Sequence, residues 1–207
     1  MSSAADAKQI ILDRLRSQVV TAPPLPSLQN EDVITFADLQ GQFCETSRSV
    51  GAACHVVHSP AELTTILNDL EPFRRARRIV SLLPQWVPGN TDLQNFDEPH
   101  SLRSLDWMIA PGLFGVAENG AIWIDFSSIS HRASLFLTQY LAILVPAKNL
   151  VPHMHAAYER VGRAITQPFG LFVSGPSKTA DIEQSLVLGA HGCRTLNVFL
   201  LANPEAE

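Results

Sequence analysis

Ser174-Gly175-Pro176-Ser177-Lys178-Thr179 follows the apolar run Gly170-Leu171-Phe172-Val173 and leads into Ala180-Asp181-Ile182-Glu183. Residue types in this order can hold an anion. A glycine lets the backbone approach a ligand closely, amides at a helix start have no intrahelical partner, and a lysine adds a cation. Thr179 to Leu188 reads as a helix, so Ser174, Gly175, Ser177, Lys178, Thr179 and Asp181 form a candidate seat for a carboxylate or phosphate. Local capping explains the same residues: Ser177 or Thr179 as N-cap, with Asp181 and Glu183 opposing the positive end of the helix dipole. The spacing is neither that of a Walker loop nor that of a dinucleotide fingerprint.

Glu118 is the second candidate, beside Asn119-Gly120 between two apolar runs. A carboxylate on a tight turn facing a cleft can serve as base or nucleophile, and a solvated turn residue is the plainer account. His191, in the break Ala190-His191-Gly192, is the titratable partner proposed for Glu118, although a histidine there also suits a helix C-terminus. His153 and His155 are two apart, a spacing that does not share one helical face, so no metal site is read there. Cys44, Cys54 and Cys193 form no CxxC pair and are odd in number, which points to reduced thiols rather than a disulfide framework or a cluster site.

The elements that would position these residues alternate. An amphipathic helix carries Ile10, Ile11, Leu15 and Val19, and the prolines of TAPPLPSLQN stop it, so residues 1–30 read as a helical arm with a linker and 31–207 as an α/β domain. The arm could pack on its own domain or on a neighbouring subunit, leaving homo-oligomerisation open. Next come a helix near 32–50, a strand in ACHVVH, a helix started by Ser59 and Pro60, and a strand in RRIVSLLP. WVPGNTDLQNFDEPHS is a long polar segment of the kind found near sites or interfaces. GLFGVAENGAIWIDF predicts a hairpin turning at Asn119-Gly120; YLAILVP, GLFVSG and TLNVFLL predict strands, and NLVPHMHAAYERVGRAI a helix. This order predicts a mainly parallel sheet, with the turn after GLFVSG at a strand's carboxyl end, where open α/β sheets bind ligands.

With 207 residues the chain can bury a full core, and a net charge of −5 argues against a general nucleic-acid surface. Neither a signal-peptide apolar core nor a bilayer-length apolar run is present, so a cytoplasmic protein without a membrane span is expected.

Taken together, AENGAIWID and SGPSKTADIEQSLVLGAHGCRTLNVFLL resemble the LUD-domain family of lactate-utilisation protein C type. The second segment follows that family's SGPS-x-TADIE and GxHG-x-R-x-L pattern, and the likeness runs from about residue 75 to 201. The resemblance implies a NagB/RpiA/CoA-transferase-like α/β fold and a role in oxidising L-lactate, or a related 2-hydroxy acid, to pyruvate. It implies a small carboxylate ligand, no cofactor in this chain, and partner subunits that carry iron–sulfur clusters. The same fold kinship supplies an alternative, acyl transfer of the CoA-transferase kind with Glu118 as nucleophile, because Ala117-Glu118-Asn119-Gly120 is similar to that family's Ser-Glu-Asn-Gly with alanine for the serine. A non-catalytic assembly or ligand-binding subunit is the third reading.

Overall fold

The computed structural model describes residues 4–18, 33–126, 129–164, 169–180, 186–189 and 191–202. The chain divides into two compact units, Met1–Val33 and Ile34–Glu207. In the first, α1 (Ala4–Ser17) exposes the stripe of Ile10, Ile11 and Leu15, and Asp13 pairs with Arg16 one turn on. The proline linker lies outside the described residues.

The second unit is built on five parallel strands: β1 (Ala53–Val57), β2 (Ile79–Ser81), β3 (Trp107–Pro111), β6 (Tyr140–Pro146) and β11 (Thr195–Leu201). They are ordered β1-β11-β6-β3-β2, so every amino end lies along one edge of the sheet and every carboxyl end along the other. Two of the three interior strands, β11 and β6, are the continuous apolar runs TLNVFLL and YLAILVP. Such runs suit a strand covered on both faces.

Alternate residues of these strands enter two different cores, as the two-residue period requires. On one face Ile109, Ala142, Leu144 and Phe199 pack with Leu63 and Leu67 of α3 (Pro60–Asp69) and Phe73 of α4 (Glu71–Arg74). Ser59 caps α3 by accepting the Glu62 amide, Pro60 occupies the first turn, and Leu63 and Leu67 fall one turn apart on the buried stripe. Each of those leucines contributes roughly 1.5–3 kcal/mol by leaving water. On the other face Met108, Ile143, Val198 and Leu200 pack with Phe43 of α2 (Leu39–Ser49) and with Ile122 and Ile124 of a second sheet.

That second sheet has the order β7-β4-β5-β8, from β4 (Phe114–Val116), β5 (Ile122–Asp125), β7 (Leu150–Val151) and β8 (Gly170–Val173). Its far face shares a core with Ala157 and Val161 of α6 (Met154–Ala164). The expected mainly parallel sheet with helices is therefore present, with one of its faces covered largely by a mixed sheet. β4 and β5 form the expected hairpin, closed by the Gly120 amide on the Val116 carbonyl at 2.9 Å. A short helix, α5 (Ser134–Leu137), precedes β6. Among the described residues no helix is long and apolar enough to cross a membrane.

The expected helix from Thr179 to Leu188 is not what forms. Lys178–Ala180 is strand β9 and Leu186–Leu188 is strand β10, paired antiparallel, with 181–185 outside the described residues. Pairing of Thr179 with Val187 satisfies the backbone in a ladder that local helical spacing does not foresee.

Candidate functional site

The motif residues converge on the corner where α2 turns into β1. Ser174 Oγ donates to the Asn119 carbonyl at 2.8 Å, and Lys178 Nζ donates to the Val50 carbonyl at 2.6 Å. Gly175 is buried in the left-handed region at φ 71°, where a Cβ would stand 2.5 Å from the Val50 oxygen. Only glycine fits there without strain. The Ser177 amide donates to the Cys193 carbonyl at 3.0 Å, and the Ser177 carbonyl accepts the Gly189 amide.

Val50 and Gly51 precede β1 and Cys193 precedes β11, so this corner lies at the amino edge of the parallel sheet. The sequence predicts a turn at a carboxyl edge, and the register corrects it: β8, the strand before the turn, belongs to the mixed sheet and not to the parallel one. The expected helix start is also gone. The ammonium of Lys178 and the amide of Ser177 are committed to backbone carbonyls, and Thr179 sits in the β9–β10 ladder. Asp181 lies outside the described residues.

Glu118 is exposed on its turn and accepts the Met154 amide at 2.8 Å, while its own amide donates to the Pro152 carbonyl. A carboxylate at that point satisfies an orphan donor of α6 and opposes the positive end of its dipole. His153 accepts the Ala156 amide through Nδ1, so it caps the same helix, and its ring meets His155 edge to face. His191 is exposed and lines a small cleft with Gln139, Gly192 and Arg194 at the amino ends of β6 and β11. Glu118 and His191 share no hydrogen bond or ion pair among the described residues. No group of three or more His, Cys, Asp or Glu able to hold a metal ion occurs among them either.

The carboxyl edge of the parallel sheet holds a cavity of about 750 Å³. Pro111 ends β3, Pro146 ends β6, Leu201 ends β11, and the segment after β2 contributes Trp86, so the cavity opens where the strands stop. Gly112 lines it too, and a Cβ there would stand 2.5 Å from Ile122 and 2.8 Å from Val145 as the chain crosses from β3 towards β4. Asn149 is held by donating to the Leu113 carbonyl at 2.8 Å, and Thr64 Oγ1 donates to the Trp86 carbonyl at 3.2 Å. Among the described residues Lys148 is the only ionisable one of the lining; it is exposed and makes no ion pair with any of them. An apolar wall with one cation at its rim suits a small organic anion. The volume falls in the ordinary range of small-molecule sites.

Sequence reasoning missed Lys148 and Trp86. Their signals in the sequence are weak: Lys148 stands two residues past the apolar run YLAILVP, and Trp86 opens the long polar segment WVPGNTDLQNFDEPHS. A neighbouring cavity of about 640 Å³ beside Ser81, lined by Asn90, Thr91 and Asp92, draws on that polar segment too.

Residues 100–201 match the family described as the LUD domain. The chain is 39% identical over 84 residues to a lactate utilization protein C of Bacillus subtilis (strain 168), a match spanning 37% of this chain and 34% of that one. A protein of the same name from Deinococcus radiodurans is 27% identical over 210 residues, covering 96% of this chain and 97% of the relative. Matches to the first of these relatives thus span about a third of their length, whereas the Deinococcus match runs nearly end to end. Among solved structures, a DUF162 family protein from Deinococcus radiodurans superposes with a TM-score of 0.58 at 17% identity, over 82% of this chain and 100% of that one. That likeness supports the fold.

Proposed function

The chain belongs to the LUD-domain family, with residues 100–201 as the matched domain, and from that premise we propose that it serves lactate utilisation by binding the small 2-hydroxy acid or its 2-oxo product. The observation that carries this reading is the cavity at the carboxyl edge of the parallel strands with Lys148 at its rim. Relatives named lactate utilization protein C supply the ligand class.

In this reading the acid's carboxylate pairs with the Lys148 ammonium, and its methyl group lies against Pro111, Leu144 and Leu201. Such an ion pair at an exposed rim gives modest affinity and sets orientation. Oxidation to pyruvate proceeds together with partner subunits whose iron–sulfur clusters accept the electrons. This chain's own part is to bind and orient. Glu118, Ser174 and Lys178 hold the opposite, amino edge together through the bonds described above.

The test is a titration of the full chain with L-lactate and with pyruvate, followed by Trp86 emission in a Trp107→Phe, Trp123→Phe background and by calorimetry of the wild type. Saturable binding of either acid, weakened in Lys148→Glu, is expected. Absence of binding to both acids, or equal binding by the variant, overturns the assignment. The role in the cell is tested by restoring lactate-dependent growth to a strain that lacks its lactate utilization protein C.

A further inference from the structure

Cys44 on α2 and Cys54 on β1 face one another inside the α2–β1 corner. The Cys54 thiol donates to the Cys44 sulfur at 3.1 Å, and the two residues are 5% and 6% exposed. This approach is inside an ordinary sulfur–sulfur contact and only about 1 Å longer than a disulfide bond. The ten-residue separation spans the turn that carries Val50 and Gly51. The hydrogen bond from Cys54 lowers the Cys44 thiol from 9.0 to about 7, against the opposing effect of burial and with help from the Arg48 guanidinium. The same bond pushes the Cys54 thiol up. Arg48 is fixed nearby by donating to the Cys54 carbonyl at 3.0 Å.

We propose that Cys44 and Cys54 are a thiol pair that closes reversibly to an intramolecular disulfide when the chain meets a hydroperoxide. The donor and acceptor roles in the pair assign the order of events. The Cys44 thiolate attacks one peroxide oxygen, the O–O bond breaks, and the leaving hydroxide takes up the proton that Cys44 had released, leaving Cys44 as a sulfenic acid. The Cys54 sulfur then attacks Cys44, the S–O bond breaks, and the oxygen departs as water with the Cys54 proton. Two thiols are oxidised to one disulfide and one hydrogen peroxide is reduced to two waters. The closed bridge ties α2 to β1 next to Val50, whose carbonyl holds Lys178, so oxidation stiffens the corner on which the Ser174–Lys178 turn rests. The thiol pair needs no ligand in the carboxyl-edge cavity.

The experiment exposes the reduced full chain, freed of reductant, to hydrogen peroxide. Products are read by intact mass, by thiol alkylation in denaturant and by non-reducing tryptic mapping. Arg48 lies between the two cysteines, so trypsin leaves them in separate peptides unless they are bridged. Expected are a loss of two hydrogens, a linked Cys44–Cys54 peptide pair, a fall in alkylatable thiols from three to one, and full reversal by dithiothreitol. Cys54→Ser is expected to halt at an oxygen adduct on Cys44. Three thiols still alkylatable, a wild-type adduct on Cys44 without linkage, or linkage through Cys193 or between chains would each overturn the proposal. The decisive readouts are on the wild-type chain, so a poorly folding variant does not obscure them.

Discussion

Ser174 Oγ donates to the carbonyl of Asn119 at 2.8 Å, across fifty-five positions of sequence. The two segments on which the family resemblance rests are therefore in direct contact, and the contact is structural: one turn holds the other. Ser174→Ala should lower stability by about 0.5–1.5 kcal/mol, and by the smaller figure where water replaces the serine. Gly175→Ala should cost more, about 1–2 kcal/mol for the left-handed backbone alone, with the approach to the Val50 oxygen added. Urea unfolding of both variants checks the order; a Gly175→Ala chain as stable as the wild type would contradict the close approach.

Glu118 accepts the first described amide of α6, which makes it a helix cap. Glu118→Ala should destabilise the chain by about 0.5–2 kcal/mol, and Glu118→Gln, which keeps an acceptor oxygen, by less than about 1 kcal/mol. No acyl-CoA-dependent mass change is expected on the tryptic peptide that contains Glu118. An adduct there, absent from Glu118→Gln, would favour acyl transfer over the binding role proposed above.

Lys148 stands at the rim of the carboxyl-edge cavity without an ion pair among the described residues. Reversing its charge should weaken the binding of L-lactate or pyruvate at least about tenfold, or roughly 1.4 kcal/mol. Because the residue is exposed, the urea midpoint should stay where it was. Lys178→Glu should do the reverse, loosening the Val50 corner while leaving ligand affinity within about twofold. Calorimetry and unfolding on the same two variants separate the sites.

His55 stacks on Phe199 with ring centroids 5.2 Å apart, and its Nε2 is buried with no hydrogen-bond partner among the described residues. Burial lowers its pKa from 6.5, so the folded chain favours the neutral ring. The unfolded chain takes up a proton near 6.5 and the folded chain only below it. The stabilisation is therefore complete above 6.5 and is lost as pH falls from there through the folded value. The wild type should lose more stability than His55→Gln between about pH 7.5 and about pH 5.5. Parallel urea curves for the two proteins over that interval would sink the argument.

Much of this molecule was legible in the residues alone. YLAILVP and TLNVFLL are apolar without alternation, which only a strand covered on both faces tolerates, and Ser59-Pro60 announces a helix start that forms as read. Glu118-Asn119-Gly120 between two apolar runs could turn only tightly, and it does. The family likeness followed from the local order of SGPSKTADIE and AHGCR. Tertiary structure decided what local pattern could not. Thr179 to Leu188 has helical spacing in isolation, yet cross-strand pairing of Thr179 with Val187 claims its backbone. Register alone decides which edge of a sheet a turn meets, and the pairing of β8 with β5 in the second sheet carries Ser174–Lys178 to the amino edge of the parallel strands. Lys148, Pro111 and Leu201 become neighbours because five parallel strands end along one line, a relation no short window of sequence contains, and the packing of α2 against β1 is what turns Cys44 and Cys54 towards each other.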